Sequence, residues 1–72
     1  MELTVTQKLL IYEMTLFPLS EETQKAIFHS MKTEERRILL IGYLQTHSKA
    51  TEEEILNEVG RIIKSTKKEH KK

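Results

Sequence analysis

The residues of this chain that could do chemistry are three histidines, eleven glutamates and a scatter of serines and threonines; aspartate and cysteine are absent. A metal centre needs ligands clustered at set spacings. His29, His47 and His70 fall in three different segments with no H-x-x-x-H pair between them. General acid–base work needs a carboxylate or imidazole whose proton affinity is shifted by an enclosing pocket. Most of the glutamates instead follow a hydroxyl residue, in Ser20-Glu21-Glu22, Thr33-Glu34-Glu35 and Thr51-Glu52-Glu53-Glu54. Capping and the positive end of a helix dipole already account for them there. A serine nucleophile would need a base and an orienting acid held beside it, and the pattern supplies neither. A chain of 72 residues has little bulk with which to enclose a cleft of several hundred Å³. The expectation is a protein that is not an enzyme, with no cofactor, no metal and no small-molecule substrate.

The elements available to position a site read as helices. In Ile38-Leu39-Leu40-Ile41-Gly42-Tyr43-Leu44 only the glycine lacks a sizeable apolar side chain, and a helix apolar on all sides asks to be covered on all sides. The hydroxyl–carboxylate starts, the stop at Pro18 and the polar connection His47-Ser48-Lys49-Ala50 divide the chain into helices over about 4–17, 21–31, 34–46 and 52–66. This is an all-α bundle around a central third helix, with residues 1–66 as one domain and 67–72 as a disordered basic tail. Gly42 is expected to admit a close neighbour, at about 1 kcal/mol of helix preference. The last helix is the cleanest: Ile55, Leu56, Val59, Ile62 and Ile63 share one side. The expected core is Leu9, Tyr12, Leu16, Ile27, Met31, Ile38, Leu40, Ile41, Leu44, Ile55, Val59, Ile62 and Ile63.

The first helix carries two apolar stripes. Val5, Leu9, Tyr12 and Leu16 follow one face, while Leu3, Leu10, Met14 and Phe17 follow another about 150° away, with Thr6 and Glu13 between them. One stripe suffices to dock a helix on its own domain. The second is surplus, and Leu10, Met14 and Phe17 are the residues expected to form an exposed patch that binds another protein chain, the partner being a second copy or a larger target. Methionine and phenylalanine are types enriched at interface cores.

Charge suggests a different partner. Residues 1–63 hold seven Lys/Arg against ten Glu, net −3, whereas residues 64–72 hold five Lys against one Glu, net +4. Lys67, Lys68, Lys71 and Lys72, with Lys32, Arg36 and Arg37 at the start of the third helix, would neutralise phosphates in a nucleic-acid-binding accessory protein or small transcriptional regulator. The run Ile38-Leu39-Leu40-x-x-Tyr43-Leu44, then Ala50-Thr51-Glu52-Glu53-Glu54-Ile55-Leu56 ending at Gly60, resembles the first two helices of a winged helix-turn-helix domain. That resemblance implies a third, recognition helix and a β-wing after Gly60. Only twelve residues follow, and Arg61-Ile62-Ile63 continues the apolar face.

No stretch approaches the ~20 apolar residues of a membrane span. Met1-Glu2 opens without the basic residues of a secretory signal. A cysteine-free chain fits a reducing cytoplasm. The leading expectation is therefore a small cytoplasmic interaction module, either a homo-oligomer or an adaptor or inhibitor of a larger protein. It would act through an apolar face of the first helix and have no membrane partner.

Overall fold

The computed structural model describes residues 2–67, which form four helices: α1 (Val5–Thr15), α2 (Glu21–Ser30), α3 (Glu34–Thr46) and α4 (Glu52–Thr66). Each begins on a hydroxyl residue that accepts from the backbone N–H three positions on: Thr4 from Gln7, Ser20 from Thr23, Thr33 from Arg36 and Thr51 from Glu54. These bonds satisfy amides that have no partner within the helix. Two caps are reciprocal, with the Gln7 side chain accepting from the Thr4 N–H at 2.8 Å and Glu54 from the Thr51 N–H at 2.9 Å. α1 ends two residues before Phe17. Pro18 disfavours helical geometry at Phe17, and the chain closes with the Leu16 and Phe17 amides donating three residues back, to Glu13 and Met14. The Leu19 N–H then donates to the Phe17 carbonyl at 2.8 Å, an i→i+2 turn centred on Pro18.

Two side-chain bonds fix how α1 lies against α3. Arg37 Nε donates to Thr6 Oγ1 at 3.0 Å, and Gln45 Nε2 donates to Glu13 Oε2 at 3.2 Å. Both numbers rise together, so the two helices run parallel. At the opposite flank Arg36 Nε donates to Thr66 Oγ1 at 2.9 Å, joining the start of α3 to the end of α4, which is antiparallel to it. α2 packs on α1 and α4 and lies diagonally across from α3. The order around the bundle is α1, α3, α4, α2.

The core comprises Leu10, Met14, Phe17, Leu19, Ile27, Met31, Leu40, Ile41, Leu44, Ala50, Ile55, Val59 and Ile62. Three expectations from the sequence are overturned here. Leu10, Met14 and Phe17, expected to face a partner, are 0%, 1% and 7% exposed and pack inside the chain's own core. Leu9, Tyr12 and Leu16, expected in the core, are 38%, 59% and 59% exposed. The third helix is not wrapped on every side either: Ile38 and Leu39 stay about half exposed, because only α1 and α4 flank α3 and the far side has no neighbour. Ile63 is partly buried and packs at the core's edge.

Gly42 admits no close neighbour, since a Cβ built there meets nothing within 4 Å. α4 runs without a break through Gly60 to Thr66, and the described residues contain no strand. The third helix and wing that the winged helix-turn-helix resemblance implies are absent among them. Residues 68–72, most of the expected basic tail, lie outside the described residues.

Core and surface stripes of α1 separate in a stability experiment. Met14→Glu, which would bury an unpaired charge, is expected to abolish the cooperative thermal transition. Leu16→Ala is expected to change stability by no more than about 0.5 kcal/mol in urea denaturation. The reverse order would place the wrong stripe inside.

Candidate interaction face

The side chains able to do chemistry are scattered. His29 and His47 lie on different helix ends, and no group of three His, Cys, Asp or Glu among the described residues could share a metal ion; His70 is not among the described residues. His47 is taken up locally: its ring stacks on Tyr43 at 4.1 Å between centroids, and Nδ1 lies 2.9 Å from both the Tyr43 carbonyl and Thr46 Oγ1. Glu13 is buried and accepts from Gln45, a bond that tethers α1 to α3. An open hollow of about 260 Å³ between α1 and α2, lined by Ile11, Gln24, Lys25 and Phe28 among others, is below the ~300–1,000 Å³ of small-molecule sites.

The proposed phosphate-binding arginines are used inside the fold. Arg37 is buried, its Nη1 donating to the Met31 carbonyl at 3.0 Å while Nε holds Thr6. Arg36 reaches the other way, Nη1 donating to the Ser30 carbonyl at 3.2 Å and Nε to Thr66. Together they occupy carbonyls at the C-terminal end of α2, where a helix presents unsatisfied acceptors and partial negative charge. Arg37 is buried in doing so, while Arg36 stays half-buried. Lys32 and Lys67 are exposed, and Lys68, Lys71 and Lys72 lie outside the described residues, so the seven cations are not brought together as one described patch.

What the fold does assemble is an apolar surface. At 100° per residue, Val5, Leu9, Tyr12 and Leu16 span about 60° of the circumference of α1, and Val5 is the most open of the four at 79% exposure. On α3, Ile38 is 53% exposed and Gly42 open. The core lies on one side of the parallel α1–α3 pair. On both helices the side turned away from it stays open to solvent, with Val5, Leu9, Tyr12 and Leu16 on α1 and Ile38 on α3.

The sequence identifies two stripes on α1 but not which one faces outward. A local signal was present: Lys8 is three residues from Val5 and four from Tyr12, and a lysine beside a stripe keeps its head in water. The buried stripe has Thr6, Gln7 and Glu13 as its polar neighbours. Comparison with protein-family models, curated proteins and solved structures gives no match.

Arg37→Ala should destabilise the fold by about 1–3 kcal/mol, because it leaves the Met31 carbonyl and Thr6 without their buried charged donor. Urea denaturation reads this directly; an unchanged midpoint would return Arg37 to the surface.

Proposed function

We propose that this protein is a small non-enzymatic interaction module that binds another protein chain through the outer apolar face of α1. One observation carries the reading: Val5, Leu9, Tyr12 and Leu16, four large apolar side chains on one helical stripe, are 38–79% exposed while the same helix docks on its own domain through Leu10 and Met14. Covering a stripe of that kind removes apolar surface from water at roughly 25 cal/mol per Å², enough to drive helix-on-helix or helix-in-groove association. Tyr12 adds a large, stiff ring with a polar tip, the kind of residue favoured at binding hot spots. Such a module can act as a self-associating unit or as an adaptor or inhibitor of a larger protein. The cysteine-free composition suits work in a reducing cytoplasm.

Site-specific photocrosslinking tests the reading. A photoreactive benzoylphenylalanine at Leu16, expressed in native host cells, is expected to form a protein adduct of defined mass. The same group at Asn57, an exposed polar position on α4, is expected to form none. No adduct from position 16, or equal labelling from both, would contradict a binding face on α1.

A further inference from the structure

We infer that the hollow between the C-terminal ends of α1 and α3 is a socket for one lysine side chain of the protein that docks on the outer face of α1. The inference rests on the interaction reading above, since Leu16 belongs to both the face and the hollow, and it names the chemistry the partner must bring.

α1 and α3 run parallel and end at the same level, at Thr15 and Thr46, just past the Glu13–Gln45 bond. Between these ends lies an open hollow of about 240 Å³, lined by Glu13, Leu16, Phe17, Leu44, Gln45 and Ser48. Glu13 is 8% exposed. Its Oε2 accepts from Gln45 Nε2 at 3.2 Å, and Oε1 has no hydrogen-bond or ion-pair partner among the described residues. An ionised carboxylate offers about four acceptor sites, and a charge withdrawn from water is costly until it is paired. A single neutral amide leaves most of that demand unmet.

The surroundings also favour a cation. A helix C-terminus carries a partial negative charge of roughly half an elementary unit, and two parallel helices present theirs together here. Neither has a basic residue in its last turn. His47 and Lys49, just past α3, line a separate hollow on the α4 side with Tyr43, Ala50 and Glu54.

Size and shape select the ligand. The hollow is below the ~300–1,000 Å³ of small-molecule sites. At ~30 Å³ per water it holds the equivalent of about eight waters, the scale of one long side chain. Leu16, Phe17 and Leu44 give it an apolar wall for an aliphatic stem, with the charged head at Glu13. Lysine fits better than arginine. A guanidinium takes both oxygens of a carboxylate in a fork, and Gln45 already holds one of them. A compact ammonium needs only the free oxygen, with the side-chain oxygens of Gln45 and Ser48 in the wall as further acceptors.

Two measurements test this. In the first, n-butylammonium chloride, the lysine stem and head alone, is titrated at neutral pH and constant ionic strength into the full chain labelled with nitrogen-15. The Gln45 side-chain amide and the Glu13 and Ser48 backbone amides are expected to shift and to saturate at millimolar concentration. n-Butanol should leave them in place, and n-propylguanidinium should bind about threefold more weakly. Glu13→Gln keeps the shape and is expected to keep the thermal transition, while weakening butylammonium about tenfold. No saturable shift, or equal binding by butanol or to Glu13→Gln, would overturn the socket. Equal binding by propylguanidinium would overturn lysine as its occupant.

The second measurement places the photoreactive group at Tyr12, one turn away on the same stripe and outside the hollow. Adduct yield is expected to fall severalfold when Glu13→Gln is added. An unchanged yield would leave the interaction reading standing and overturn the socket's part in it. Saturable butylammonium binding with no adduct from position 12 or 16 would sink the interaction reading, and with it a protein lysine as the occupant.

Discussion

Two consecutive arginines at the start of α3 hold the ends of all four helices together. Arg37 links Thr6 of α1 to the Met31 carbonyl that follows α2, and Arg36 links the Ser30 carbonyl at the end of α2 to Thr66 of α4. Consecutive residues on a helix diverge by 100°, so one pair of side chains can reach opposite flanks of α3. Guanidinium groups suit this work because they are planar, keep their charge and donate in several directions. The clamp sets α1 parallel to α3 and brings the ends of α2 and α4 to the same level. From that arrangement follows which stripe of α1 turns inward.

With α1 held this way, a short chain leaves apolar surface uncovered. α1 has neighbours at α3 and α2, α3 has neighbours at α1 and α4, and no element remains to lie over the far side of the α1–α3 pair. Leu10 and Met14 go to the core; Val5, Leu9, Tyr12, Leu16 and Ile38 stay in contact with solvent. Domains of this size bury only about 60% of the surface their unfolded chains expose. A second copy or another protein on this face would supply the missing layer.

The helix framework was legible because it is written locally. Thr51 and Glu54 are spaced for a reciprocal cap and form one; Ser20 and Thr33 precede acidic first turns and cap them; Pro18 stops α1 within two residues of where its effect on Phe17 predicts. The buried side of α4 was legible for the same reason, since Ile55, Val59 and Ile62 are opposed by a single polar face. The inward side of α1 was not. Its two stripes match in apolar bulk, and the choice between them is made by Arg37 and Gln45, residues more than thirty positions away. The basic look of Arg36 and Arg37 misled in the same way, because their acceptors are carbonyls and hydroxyls that no spacing rule marks in advance.

The account stands on which stripe of α1 faces outward, and the absence of native cysteine makes that directly measurable by thiol labelling of single-cysteine variants. Leu16→Cys is expected to react in the native state at nearly the rate of a free thiol. Met14→Cys is expected to react only as fast as the protein unfolds, at every concentration. A Met14→Cys thiol that labels freely in the folded protein, beside a Leu16→Cys thiol that is shielded when dilute, would contradict the account at its root.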